Sequence, residues 1–204
     1  MLLTKQQLGA HVMASDDPER YALTHIKIEP TGRVSATNGH IAVRVTPKHK
    51  MDEGEFPHVP GLSGAEPEQD VMIPTAMAEA AAKIVPKVKD QPLLSMARML
   101  VGSRAMIGAT DMETPKLVTE QREAQMVFDF AYPDVEPVLR PEGACLVTIR
   151  LRSDYLATIA KYAQSFAVVD SGLTLKVYGP DQAVRFEWQD DQHDVEGVLM
   201  PMRG

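Results

Sequence analysis

One pattern recurs three times along the 204 residues: a short apolar strand, an amphipathic helix, then strands separated by turns. A lone unit of this kind leaves one face of its helix and sheet unburied, so the units have to pack against something. The first copy begins "LLTKQQLGAHVMA", where Leu8, Val12 and Met13 have helical spacing. It continues through "ALTHIKIEP", "GRVSATNG" and "HIAVRVTP", which alternate as half-buried strands do, with turn signals at Thr31-Gly32 and Asn38-Gly39. The second begins "DVMIPTAMAEAAAKIVP", a strand stopped by Pro74 and an alanine-rich helix from Thr75 to near Pro86, followed by "LLSMARMLVG", "RAMIGAT" and "PKLVTEQRE". The third, "ACLVTIRLRSDYLATIAKYAQSF", reads as a strand leading into a helix capped near Ser153 with Asp154 in its first turn. The strands "GLTLKVYG", "AVRFEWQ" and "DVEGVLMPM" come after it. The sequence predicts three βαβββ units.

Two segments stand outside the pattern. Residues 48–69 are polar and rich in Pro, Gly and charge, which predicts a long mobile loop between the first two units. "FDFAYPDVEPVLRP", residues 128–141, has three prolines among apolar residues and predicts an ordered, extended connector packed along a surface.

With 44% hydrophobic residues the chain can build one large domain or two small ones, and its 12 methionines supply adaptable apolar surface. The net charge of −7 argues against a protein that coats nucleic acid, while leaving room for a locally basic face. The single cysteine, Cys145, excludes an internal disulfide and suits a reducing compartment. No stretch reaches the roughly 18 apolar residues of a membrane helix, so the expected location is the cytoplasm, with no membrane partner.

Catalytic readings find little support. Cys145 sits in an apolar predicted strand, where a cysteine serves as a small buried hydrophobe. "QDDQHD", residues 189–194, places carboxylates beside His193, but its position between two strands makes a solvated turn the simpler reading. The six histidines have no zinc spacing, and there is neither a P-loop nor a GxSxG elbow. The expectation is a non-enzyme without metal or cofactor.

By itself "TNGH" reads as a hairpin turn and "LMPM" as a buried edge strand. Together they say more. "ATNGHIAV", residues 36–43, resembles the "ATDGHRLAV" signature of the bacterial DNA sliding clamp family, the beta subunit of the replicative polymerase, and "VLMPMR" resembles its "VVMPMRL" ending. "ERYALTHIKIE" and "YPDVEPVL" match the same family in its order, with compatible spacings. The resemblance covers nearly the whole chain and looks like the family's middle domain followed by the second half of its last domain. It implies an α+β sliding-clamp fold built from three βαβββ units: a complete clamp-like domain over 1–127, an interdomain connector over 128–143 and a half-domain over 144–204.

The same resemblance implies a hydrophobic pocket between the middle and last domains that receives short peptides from polymerases and other replication or repair proteins. Carried over, its walls are Leu23, Thr37, Gly39 and His40, then Pro133 and Val138 of the connector, and Val198, Met200, Pro201, Met202 and Arg203 of the tail. Asn38 stands where the family has aspartate, Ile41 and Pro137 where it has arginine, and Gly204 where it has a terminal leucine, so the implied rim is less basic. Helices face the DNA in such a fold, which makes Lys5, Lys83, Lys87, Lys89, Arg150, Arg152 and Lys161 the DNA-facing candidates.

Two functions compete. One is a processivity factor that holds a polymerase on double-stranded DNA by encirclement or weak contact. The other is a non-encircling peptide-binding module that regulates or decoys clamp-binding proteins. The third unit, left without a partner in the chain, is expected to make a homo-oligomer through Tyr155, Ile159 and Tyr162 of its helix.

Overall fold

The computed structural model describes residues 1–48, 52–88, 91–120, 131–139, 145–164, 172–189 and 194–202. It divides into two compact units, Met1–Pro141 and Glu142–Gly204.

The first unit holds β1 (Leu2–Thr4), α1 (Lys5–Leu8), β2 (His25–Ile28), β3 (Val34–Thr37), β4 (Ala42–Val45), β5 (Val71–Pro74), α2 (Thr75–Ile84), β6 (Met96–Val101), β7 (Ala105–Ala109), β8 (Lys116–Thr119) and the helical turn α3 (Glu136–Leu139). Its strands form two antiparallel four-stranded sheets, in the orders β1-β6-β7-β8 and β4-β3-β2-β5. The leading strand of each repeat therefore joins the sheet of the other repeat. Leu3 pairs with Ala97 and Ile73 with Ile26, and all four side chains are fully buried. α2 touches strands of both sheets, and its inward face is Met77, Ala78, Ala81 and Ala82, three of them small enough to bring helix and strands close.

Three expectations are corrected in this unit. The first helix is a single α-turn, closed by a capping box in which Thr4 Oγ1 accepts from Gln7 N and Gln7 Oε1 accepts from Thr4 N. From Gly9 to Met13 the chain tightens into a 3₁₀ helix. Its turn of about 120° per residue carries Val12 off the Leu8 stripe, leaving Val12 exposed above a buried Leu8.

The expected mobile loop is packed as well over residues 52–69, while residues 49–51 lie outside the described residues. Phe56 and Val59 are buried against Leu2 in a second apolar cluster, Ala65 pairs with Val101, and Glu66 accepts two hydrogen bonds from Arg98. Glycines allow the approach. A Cβ at Gly108 would lie 2.9 Å from Val59 Cγ1, and one at Gly64, which has φ +131°, would lie 2.7 Å from the Val101 oxygen.

The connector begins extended and then coils into α3, where Asp134 Oδ1 accepts from Glu136 N. An extended run through residue 139 is thus corrected; residues 128–130, 140 and 141 lie outside the described residues.

The second unit holds α4 (Ser153–Gln164), β9 (Thr174–Lys176), β10 (Val184–Gln189) and β11 (Asp194–Leu199), with the sheet order β11-β10-β9. Its expected leading strand does not form. Residues 145–152 carry the alternation of a strand but join no sheet, and Leu146 is 98% exposed. Cys145 is exposed rather than buried, for the same reason. The turn carrying His193 lies outside the described residues.

Gly64→Ala should remove the Ala65–Val101 pairing and cost about 2 kcal/mol or more, through strain at positive φ and contact with backbone that cannot move aside. Urea unfolding and limited proteolysis across residues 52–68 check this; an unchanged midpoint and cleavage pattern would refute the packed loop.

Candidate functional site

The turn between β3 and β4 is built by its own side chains. Thr37 Oγ1 donates to the Ile41 oxygen (2.7 Å) and accepts from Gly39 N (3.1 Å). Asn38 Oδ1 accepts from His40 N (2.9 Å) and Ile41 N (3.0 Å), an acceptor role that an aspartate would fill equally well. Gly39 supplies the left-handed residue, with φ +91°. A Cβ there would sit 3.7 Å from Leu23 Cδ1 and 3.4 Å from Arg20 Nη1, which places Leu23 against the turn. Arg20 Nη1 also donates to the Asn38 oxygen (3.3 Å). Thr37 is buried, Leu23 half-buried, and Gly39, His40 and Ile41 are exposed.

The connector docks on the same hairpin. The Tyr132 hydroxyl donates to the Ser35 oxygen (3.3 Å), Glu136 ion-pairs with Arg44 of β4, and Val135 is buried while Pro133 and Pro137 face solvent. Burial pushes the Tyr132 phenol up to about 12, against a smaller opposing effect of the Thr37 backbone amide. The structure thus brings Leu23, Thr37 and Gly39 together, with the connector on the hairpin that carries them. For Val138 only the backbone is described. Arg20, Arg44, Tyr132 and Glu136 were missed in the sequence because each acts through a partner far along the chain. Only the local Asn-Gly pair signalled the turn.

In the second unit the tail runs on from β11. Leu199 is buried on the inner face of the sheet, whereas Val198, Met200 and Met202 are 64%, 64% and 39% exposed. Met202 N donates to the Arg150 oxygen (2.7 Å), which holds the tail beside the segment ahead of α4. Pro201 is half-buried, and Arg203 lies outside the described residues.

Among the DNA-facing candidates Lys5, Lys87, Arg150 and Lys161 are exposed, and Lys89 lies outside the described residues. Lys83 is paired with Glu79 one helical turn away (2.6 Å). Arg152 is paired with Asp154 (2.5 Å) and lies over the Tyr155 ring. Each pairing holds its carboxylate below the usual range, first through the hydrogen bond from the cation. No cluster of metal-ligating side chains occurs among the described residues.

No family model and no curated protein matches the chain. Solved structures do. The DNA polymerase sliding clamp of Bacillus subtilis superposes with a TM-score of 0.66 at 13% identity, over 98% of this chain and 48% of that one. The clamp of Pseudomonas aeruginosa gives 0.63 at 16%, over 98% and 50%, and the same organism's clamp bound to griselimycin gives 0.63 at 14%, over 98% and 49%. The chain has the sliding-clamp fold and spans about half the length of each of these clamps.

Tyr132→Phe tests the connector's seat. A phenol whose pKa is higher in the folded state than its unfolded value of about 10 lends stability that is complete below pH 10 and is lost as pH rises through about 12. The native protein should lose more stability over that window than Tyr132→Phe, as read by chemical denaturation at stepped pH. Parallel curves would refute the burial of this phenol.

Proposed function

We propose that the chain is a sliding-clamp-like processivity factor of the cytoplasm, which docks short apolar peptide motifs of polymerase and other replication or repair partners. One observation carries this reading: Val198, Met200 and Met202 are presented to solvent on a tail tied to the Arg150 oxygen. Leucine and phenylalanine anchors gain roughly 1.5–3 kcal/mol each on full burial, and methionine's flexible thioether lets one surface fit several motifs. Leu23 and the stiff Thr37–Ile41 turn supply apolar and backbone contacts on the first unit, Pro133 and Val138 extend that wall along the connector, and Arg203 extends the tail. The fold shared with clamps, one of which is described as bound to griselimycin, supports the reading.

On DNA, Lys5, Lys87, Lys89, Arg150 and Lys161 would touch phosphates loosely and through water, without reading bases. The pairing of Lys83 with Glu79 and of Arg152 with Asp154 spends two of the candidate charges, and the net charge is −7. That favours a second reading, in which the same peptide surface serves a non-encircling regulator or decoy of clamp-binding proteins.

A peptide of the pattern Gln-Leu-x-Leu-Phe should bind with micromolar affinity, about −8 kcal/mol, by titration calorimetry. Met200→Glu with Met202→Glu, and separately Leu23→Asp, should each weaken it by about tenfold or more while circular dichroism is unchanged. Equal affinities throughout would refute the peptide surface.

Lys5→Glu with Lys87→Glu separates the two readings. Loading on circular DNA should fall at unchanged peptide affinity, and no change in any DNA assay would leave the regulator as the better account.

A further inference from the structure

The third repeat has every part of the strand exchange seen in the first unit except the other participant. In the first unit each leading strand adds to the free edge of the other repeat's first strand, β1 on β6 and β5 on β2. In the second unit β9 occupies that first-strand position and its outer edge is open among the described residues, while the leading segment 145–152 joins no sheet. The segment cannot fill its own vacancy. Met202 N donates to the Arg150 oxygen, so the segment lies at the β11 side of a sheet ordered β11-β10-β9, and β9 is the far edge, roughly 10 Å away. Both sheets of the first unit already hold their exchanged strands.

The register of the missing pairing can be read from the first unit. There the residue two before each helix, Leu3 or Ile73, faces Ala97 or Ile26. The rows through those residues run on to the hairpin pairs Ala109–Lys116 and Ala36–Val43. The hairpin pair of the same span in the second unit is Trp188–Val195, whose row meets β9 at Leu173, next to the Thr174–Glu187 pair. The residue two before α4 is Leu151.

Setting Leu151 opposite Leu173 puts Ile149 opposite Leu175 and Val147 opposite Val177, apolar on apolar, with Arg150 opposite Thr174 and Thr148 opposite Lys176 on the outer face. On that outer face Arg150 would fall in one row with Glu187, an opposite charge. The inner face is the one on which Val184, Trp188 and Leu199 are buried, yet Leu175 and Val177 on it are 42% and 43% exposed. The counterparts of Leu175 in the first unit, Met99 and Ile28, are fully covered.

We propose that a second copy of this chain supplies the missing strand. Val147–Arg152 of each copy adds to the β9 edge of the other, about a twofold axis, giving two four-stranded sheets like those of the first unit. Leu146, Val147, Tyr155, Leu175, Val177 and Tyr178, all exposed in the single chain, would be drawn toward the contact, roughly 1,000 Å² or more over two copies, which is the scale a stable dimer needs. This inference does not depend on the peptide-binding reading.

Sedimentation of the full chain across the micromolar range should show a dimer. Val147→Asp should give a monomer with unchanged circular dichroism, because the side chain is exposed in the single chain and enters the contact only on pairing. In a Cys145→Ser background, Thr148→Cys with Lys176→Cys should form disulfide-linked dimers on oxidation, whereas Thr148→Cys with Thr174→Cys, out of register, should not. A native protein that stays monomeric at every concentration would overturn the proposal. So would a dimer that survives Val147→Asp, or one that the in-register cysteines fail to link.

Discussion

The exchange of β1 and β5 between the two sheets of the first unit is the contact on which the rest of that unit depends. It supplies each sheet with a fourth strand, and it also fixes the helices, because α1 starts at the residue after β1 and α2 at the residue after β5. Leu3 and Ile73 carry the exchange into one core cluster, which also holds the alanine face of α2. A larger side chain at Ala78 or Ala81 would push the helix off both sheets at once, since α2 touches strands of each. The two halves consequently share a single core, and neither sheet is complete without the other repeat.

The candidate surface of the first unit inherits its stiffness from this arrangement. Sheet β4-β3-β2-β5 ends at one edge in the exchanged β5, and the connector settles along the hairpin at the other through Tyr132 and Glu136. A covered edge is poor at recruiting stray strands. Between these two anchors the Asn38–Ile41 turn has its backbone donors at Gly39, His40 and Ile41 satisfied by Thr37 and Asn38. A turn tied in this way meets a ligand without first having to be ordered, which reduces the entropy cost of binding.

Most elements were legible because periodicity reports local environment. The alternation of "HIKI", "VSAT" and "MARMLV" and the alanine-rich stretch after Pro74 all became the expected strands and helix. What periodicity cannot report is which strand an edge will pair with. "VTIRLR" alternates as well as "HIKI" does, yet it forms no strand, although its Arg150 oxygen accepts from Met202 N. The 48–69 segment failed in the opposite sense. Phe56, Val59 and Leu62 are set among prolines, glycines and charges that mask a buried face, and what seats them is the absence of a side chain at Gly108, far away in the sequence. At the candidate site the Asn-Gly turn was readable, but Arg20, Arg44 and Tyr132 draw their roles from tertiary partners.

The second unit divides its surface between two kinds of contact. On the outer face of its sheet Lys176 pairs with Glu187, and Arg185 with Glu187 and Glu196, so a row of charges commits that face to water. Val198 lies opposite Arg185, on that charged face, and leads into the exposed methionines of the tail. Leu175 and Val177 belong to the inner face and to the β9 edge, on the far side of β10 from the tail. A ligand held by the tail and a strand added at β9 would therefore engage different faces and different edges of one three-stranded sheet. Occupying one leaves the apolar side chains of the other untouched, so on this sheet the two apolar surfaces are separate.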